Sequence, residues 1–343
     1  MSTNRPFFAA RIEDALTRLV GRLVRNLGWR ERVIGYISYG SPAFVRILCR
    51  VVLSPDPRKH GQLAEALLNR RGWRNFITAP AEFAPIEVRI GDTTWQGRSG
   101  RGGFVDVRLA HRGLTPGWHR AMIRPTGGDE VEVPLLIIDP TDDFGIVSDI
   151  DDTVISTSLP RPLLAAWNTF VLHETARQSV PGMAELYRRL LADHPGSPIF
   201  YLSTGAWNVA PTLVRFLKHH RFPLGPLLLT DWGPTNTGWF RSGREHKERM
   251  LARLAEEFPN VAWLLVGDDG QHDPSIYGGF AQANPDRVRA IAIRQLTPGE
   301  QVLAHGTPVG LEDPPVAGDT PEVRGPDGAA LGRALGARVA EHA

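Results

Sequence analysis

The stretch Ile146-Val147-Ser148-Asp149-Ile150-Asp151-Asp152-Thr153-Val154 sets two acids, Asp149 and Asp151, directly behind an apolar run. A short apolar run bounded by polar residues reads as a strand of parallel sheet, buried on both faces. Open α/β sheets take their ligands at the carboxyl ends of such strands, so Asp-x-Asp-x-Thr delivers both carboxylates to a binding rim. Two other readings compete. Asp is favoured at turns and helix N-caps for its side-chain hydrogen bonds. A calcium loop needs a preceding helix and Gly at its sixth position, where this chain has Val154 after a strand-like run.

Partners downstream decide between these readings, and three follow in order. Pro198 to Leu202 is a second apolar run, ending in Ser203-Thr204-Gly205, so a hydroxyl stands where a buried strand finishes. Lys247 lies in the polar stretch Arg244 to Glu248, which opens a helix carrying Met250, Leu251, Leu254 and Phe258 on one face. Val261 to Val266 then runs into Gly267-Asp268-Asp269-Gly270-Gln271-His272-Asp273. Taken singly, Ser203 reads as an N-cap, Lys247 as a solvated helix lysine, and Gly-Asp-Asp-Gly as a plain turn. Their succession in one order favours a shared site.

This constellation resembles the haloacid-dehalogenase superfamily of phosphotransferases. S-D-I-D-D-T-V-I (148–155), Y-L-S-T-G-A-W-N (201–208), G-D-D-G-Q-H-D-P-S-I-Y (267–277) and the closing R-V-R-A-I-A-I-R (287–294) are similar to one branch, the phosphatidate phosphatases related to the yeast actin-patch enzyme. Bacterial relatives of that branch also carry a β-rich amino-terminal region with a segment like Gly35 to Ser41, so the resemblance covers about residues 30 to 300. It implies a HAD-like doubly wound parallel sheet and hydrolysis of phosphatidic acid, or of a related phosphate ester, to an alcohol and phosphate.

The chemistry also follows from charge. A carboxylate approaching a phosphate monoester meets repulsion, which a hard divalent ion with oxygen ligands offsets, and Mg²⁺ is the expected ion. Asp149 is the expected nucleophile, forming an aspartyl-phosphate. Asp151 protonates the leaving alcohol and then deprotonates the attacking water. Thr153 fixes the turn, Ser203 holds a phosphoryl oxygen, and Lys247 neutralises the phosphoryl group and orients Asp149. The expected metal set is Asp149, Asp151, Asp268 and Asp273, with Asp151 contributing its main-chain carbonyl by resemblance. Asp269, where relatives often have Ser, is either a further metal acid or a bystander.

Composition bounds the rest. A chain of 343 residues with 42% hydrophobic content is long enough for two domains, and no apolar run approaches the ~18 residues a membrane span needs. One cysteine, Cys49, excludes an internal disulfide framework and fits a reducing compartment. Met1 to Pro6 lacks the charged-then-apolar order of a secretory signal, so the cytoplasm is expected.

Net charge is only +2, but between Arg5 and Arg50 nine arginines face three acids. There Ile12, Leu16, Leu19, Val20, Leu23 and Leu27 recur at helical spacing among arginines. Such a helix either packs on the following domain or lies peripherally on an anionic membrane. Nucleic acid is not expected as a partner, because no recognition motif has the required spacing. Trp207, following the Ser203 turn, is expected near the mouth of the site, with Trp167, Phe170, Leu172 and Trp239 as further candidates to line an apolar approach.

Short alternating runs at Val33–Tyr39, Phe44–Leu53, Ile86–Ile90, Thr93–Gln96, Phe104–Leu109, Trp118–Ile123 and Val131–Ile138 read as a β-sandwich-like domain, interrupted by a helical insertion near Gly61 to Arg71. The expected organisation is therefore an amphipathic basic helix over 1–30, an accessory β-domain over 31–140, a catalytic domain over 141–298 and a Pro/Gly-rich flexible tail over 299–343. That tail ends in a short Ala-rich helix after Pro326. Within the catalytic domain, Ile155 to Val180 is the expected place for a flap. The same motifs serve a soluble phosphate ester equally, and a non-catalytic lipid-binding scaffold is a further alternative.

Overall fold

The computed structural model describes residues 21–56, 78–156, 178–230, 243–270, 272–305 and 319–341. The chain divides into two units, Met1–Ile138 with Asp231–Arg241, and Asp139–Thr230 with Ser242–Ala343.

The first unit contains β1 (Trp29–Gly35), β2 (Ser38–Ser41), β3 (Phe44–Pro55), β4 (Ala79–Pro80), β5 (Pro85–Ile90), β6 (Thr93–Arg98), β7 (Phe104–Ala110), β8 (Gly117–Pro125) and β9 (Val131–Ile137). They form one nine-stranded hydrogen-bonded sheet in the order β1-β3-β2-β9-β8-β5-β6, with β4 and β7 also on β3. The long strand β3 organises it. Val45, Ile47, Cys49, Val51 and Leu53 alternate along β3 into one core cluster with Val88, Val133 and Leu135. Each fully buried aliphatic side chain of this kind contributes about 1.5–3 kcal/mol.

The expected single strand Val33–Tyr39 is broken between β1 and β2. Register against β3 passes from Gly35↔Cys49 to Tyr39↔Arg46, one residue more on the first strand than on β3, which is a β-bulge. Ser38 fills the break, its Oγ accepting from the Leu48 N–H at 3.0 Å, and β2 is freed to pair in parallel with β9. Residues 21–26 are helical. Val24 and Trp29 pack against the β-core, while Leu23 and Leu27 point outward, 55% and 66% exposed. The preceding part of the predicted basic helix and the predicted insertion near Gly61 to Arg71 lie outside the described residues. Among the described residues no helix is long and apolar enough to cross a membrane.

The second unit carries β10 (Phe144–Asp149), the short antiparallel pair β11 (Ile155–Ser156) and β12 (Gln178–Ser179), then β13 (Ile199–Ala206), β14 (Leu227–Thr230), β15 (Ala262–Asp268), β16 (Val288–Arg294) and β17 (Glu322–Gly325). Its helices are α1 (Met183–Asp193), α2 (Ala210–His219), α3 (Gly243–Glu257), α4 (Asp273–Ala283), α5 (Pro298–His305) and α6 (Gly328–Glu341). Six strands form a sheet in the order β14-β13-β10-β15-β16-β17, every neighbour parallel. Strand β10 is buried along its whole length, as expected of a strand covered on both faces. The order reverses between β10 and β15, and open parallel sheets present their ligand crevice at such a reversal, beyond the carboxyl ends. Asp149 ends β10 and Asp268 ends β15. The place expected for a flap, Ile155 to Val180, has its two ends in the β11–β12 pair; residues 157–177 between them lie outside the described residues.

The flexible tail expected over 299–343 is corrected where the chain is described. α5 forms at Pro298–His305, and β17 joins the parallel sheet through Ile291↔Glu322 to Arg294↔Gly325. The Ala-rich helix expected after Pro326 is α6, started by Asp327, whose Oδ1 accepts the Ala330 N–H at 2.8 Å. The strand is only four residues long, too short to show a period amid its Pro and Gly neighbours.

Candidate active site

The apolar run of β10 delivers Asp149 to the sheet's carboxyl edge, and a tight turn follows. Val154 N–H and Ile155 N–H both donate to the Ile150 carbonyl at 2.9 Å, and Asp152 N–H donates to Ile155 O at 2.8 Å. Asp152 takes a left-handed φ of 57°, a conformation that Asp tolerates better than most side chains. The fixing of the turn, assigned in the sequence to Thr153, is supported by these main-chain bonds; Thr153 is fully buried and its Oγ1 has no hydrogen-bond partner among the described residues.

Asp149, Asp268 and Asp273 converge, each offering a carboxylate oxygen within 4.8 Å of the other two. Lys247, reaching in from the first turn of α3, donates to Asp149 Oδ1 at 2.6 Å and to Asp273 Oδ1 at 2.5 Å. All four side chains are essentially inaccessible. Asp268 Oδ1 accepts the Gly270 N–H at 2.7 Å. That leaves Oδ2 of Asp149, of Asp268 and of Asp273 buried without a hydrogen-bond partner among the described residues. Three carboxylates against one ammonium carry a net charge of −2 when ionised. Burying that excess is costly without a counter-charge, so the donor set fits a hard divalent cation.

The titration of the cluster shows the same imbalance. Burial, and then Asp273 and Asp151, push the Asp149 carboxyl well above the usual carboxylate range, against the pull of Lys247. Burial, followed by Asp273 and Asp149, does the same to Asp268. For Lys247 burial works against the ammonium, but the attraction of Asp149 and Asp273 exceeds it, so the amine is held protonated.

Asp151 stands apart from this cluster. Its Oδ2 accepts from Ser203 Oγ at 3.1 Å, and Ser203 Oγ accepts the Gly205 N–H at 3.0 Å. Ser203 lies within β13, directly after Leu202 where the register against β14 shifts, rather than at the strand's last residue, and it is hydrogen-bonded to the second acid of the motif. Asp269 turns out of the cluster, its Oδ1 accepting the Leu296 N–H at 2.8 Å. Trp207 is buried in the turn after β13; Trp167, Phe170, Leu172 and Trp239 lie outside the described residues. Gly267 is required by close approach: a Cβ there would lie 2.5 Å from Asp273 Oδ2 and 2.8 Å from the Tyr277 ring.

Sequence reasoning missed the groups behind Asp149. Ser148 Oγ donates to the Asp149 carbonyl at 2.7 Å and lies 2.6 Å from the Tyr187 hydroxyl. Ser has one proton to give, so Tyr187 donates to Ser148, and burial, which pushes its phenol up, keeps it a donor. A polar residue inside an otherwise apolar buried strand was the available signal for Ser148. Arg294, buried at the end of β16, was also missed, although it closes an apolar strand with a charge.

A family model described as the catalytic domain of the phosphatidate phosphatase APP1 matches residues 144–295. Residues 144–295 are similar to this family of catalytic domains. The APP1 catalytic-domain match opens on the first residue of β10 and ends one residue past β16, so α5, β17 and α6 lie outside it. Phosphatidate phosphatase APP1 of Saccharomyces cerevisiae is 28% identical over 152 residues, 44% of this chain and 26% of the yeast protein. An uncharacterised protein of Schizosaccharomyces pombe is 24% identical over 182 residues, 51% of this chain and 29% of its own length. The chain therefore spans about a quarter of the length of the curated relatives it matches. A carbohydrate acetylesterase from Xanthomonas citri aligns over 78% of this chain and 70% of its own at 11% identity, with a TM-score of 0.27, too low to bear on the fold.

Proposed function

We propose that the chain is a Mg²⁺-dependent phosphatidate phosphatase that releases diacylglycerol and phosphate through an aspartyl-phosphate. The observation that carries this reading is the buried Asp149–Asp268–Asp273 cluster, which among the described residues has three unpartnered oxygens and one ammonium, lying within the segment matched to the APP1 catalytic domain. The fold reading that goes with it is a HAD-like doubly wound domain over 141–298, supported by the reversed strand order, and a β-sandwich-like accessory domain over 31–140, supported by the alternating core of β3.

Lys247 holds Asp149 Oδ1 and so orients the carboxylate for attack on phosphorus. The new O–P bond forms as the ester O–P bond breaks, and Asp151 supplies the proton to the departing alkoxide oxygen. Asp151, now a carboxylate, takes a proton from water, whose oxygen attacks the aspartyl-phosphate and returns Asp149 as a carboxylate with release of phosphate. Ser203 orients Asp151 in the resting site and is placed to turn its hydroxyl to a phosphoryl oxygen. Asp149, Asp268, Asp273 and the main-chain carbonyl of Asp151 would hold a divalent ion, which would supply charge compensation for the phosphoryl oxygens.

Cytoplasmic location with peripheral contact at an anionic membrane completes the proposal, supported by the outward Leu23 and Leu27 beside Arg22 and Arg25. Phosphate release from phosphatidate vesicles, compared with release from short soluble phosphate esters, tests it. Mg²⁺-dependent release from vesicles is expected, and Asp149→Asn should reduce it at least about 10³-fold while the protein still melts cooperatively. Hydrolysis of soluble esters with none of vesicles would reject the lipid substrate.

A further inference from the structure

Arg294 closes β16 and is buried, and its guanidinium touches three separate pieces of chain. Nη1 donates to the carbonyl of Asp152, inside the turn that follows the nucleophile, at 2.8 Å. Nη2 pairs with Glu300 Oε1 on α5 at 2.6 Å, and Nε donates to the carbonyl of Pro326, between β17 and α6, at 3.2 Å. Glu300 is itself fixed, its Oε2 accepting from Thr297 N–H at 2.9 Å and from Thr297 Oγ1 at 3.0 Å. Only a planar fork of donors serves three acceptors in this way; a lysine ammonium on its flexible stem does not reproduce that geometry.

Two further struts run between the acid turns and the segment beyond the APP1 match. Asp269, beside the ligand Asp268, accepts the Leu296 N–H and donates its own N–H to the Arg294 carbonyl at 3.0 Å. At the start of α6, Gly328 N–H donates to Pro181 O at 3.0 Å, and Val180 N–H, one residue earlier, donates to Val154 O at 3.1 Å. A Cβ on Gly328 would lie 2.3 Å from the Gly182 carbonyl carbon, so the two backbones meet without side chains between them. The left-handed Asp152 is thus anchored from outside its own turn.

We propose that the Arg294–Glu300 pair positions the Asp149–Val154 turn, so that α5, β17 and α6 are working parts of the site although they lie beyond the matched catalytic domain. Arg294, Glu300 and Asp269 are positioning residues in this proposal, which rests on the reading of Asp149 and Asp151 as the reacting groups.

Arg294→Lys, Glu300→Gln and the double variant, made in the full chain, test it with two readouts. The first is steady-state hydrolysis of an aryl phosphate monoester with Mg²⁺; the second is amide hydrogen exchange at Asp152, Val154 and Ile155 in Mg²⁺-free protein. Each single variant should lower kcat about 10- to 100-fold with KM changed less than about twofold, as a small misplacement of reacting groups does. The double variant should be no worse than the worse single, because the pair acts as a unit. Exchange at the three turn amides should quicken about tenfold while residues 144–149 keep their protection. Wild-type kcat with wild-type exchange would overturn the proposal, as would a uniform loss of protection across the unit, which marks a merely structural role. A wild-type chain inert towards every phosphate ester, with the turn amides still loosened in the variants, would retire the catalytic reading and keep the clamp.

Discussion

Arg120 and Glu132 pair at 3.0 Å across neighbouring strands of the amino-terminal sheet with side chains 74% and 50% exposed, whereas Lys247 and Asp149 pair at 2.6 Å with side chains 3% and 2% exposed. Distance alone barely separates the two. Solvent does. The exposed pair sits in a high dielectric, screened by salt and free to exchange water for its partner. The buried group has more carboxylates than ammonium, and its side chains are shielded from bulk solvent. A folding sequence has no thermodynamic reason to gather three acids in such a place. The Arg120–Glu132 pair keeps its charges in solvent, and the Asp149–Asp268–Asp273 cluster with Lys247 holds its charges buried.

Lys247→Met should break the contrast most severely. It leaves the acids uncompensated and should cost about 3–5 kcal/mol of stability near neutral pH, with a lower melting temperature that recovers as acid protonates the cluster. Equal losses at pH 5 and pH 8 would show that the lysine acts through packing rather than charge.

Asp268→Asn should act in the opposite sense. Removing one desolvated charge should raise the metal-free melting temperature, by about 2–4 °C for each kcal/mol of repulsion relieved, and should abolish the stabilisation expected when Mg²⁺ is added to the wild type. A metal-free variant less stable than wild type would contradict the repulsion reading.

Acidity sharpens the same point without mutation. Asp149 and Asp268 have carboxyl groups raised by burial, so the folded chain keeps protons that the unfolded chain releases. Their contribution to metal-free stability is present below the ordinary carboxylate range of about 4 and is lost as pH rises from there through the raised values. Metal-free melting should therefore fall as pH rises through that window, and the shift produced by Mg²⁺ should grow with pH, because protons and the cation compete for the same oxygens. A Mg²⁺ shift that shrinks with rising pH would defeat this account. At the small end, Arg120→Ala should cost less than about 1 kcal/mol in urea unfolding, and a larger loss would remove the contrast between the two regions.

The acid motif and its strand were legible because both depend on neighbours in the chain. The apolar run before Asp149 fixes a parallel strand, and the punctuation around Val105 to Leu109 fixes an antiparallel one. Lys247 and Asp273 were legible only as partners of a motif already suspected, since their meeting depends on the fold. The bulge at Tyr36–Ile37 was hidden because a one-residue slip changes no residue type. β17 was hidden because a short edge strand is stabilised by the neighbour it joins, Ile291 to Arg294, rather than by its own pattern. The role of Asp269 was illegible for a related reason: adjacent acids in a sequence leave a strand end in different directions, one towards Asp149 and the other towards the Leu296 amide.

Gly267 leaves no volume beside Asp273 for even one more carbon. A methyl group at that position would shift a carboxylate without changing any formal charge, any titratable group or the hydropathy of the surface. Steric shape and Coulomb attraction, usually altered together when an acid is replaced, can therefore be varied one at a time in this centre.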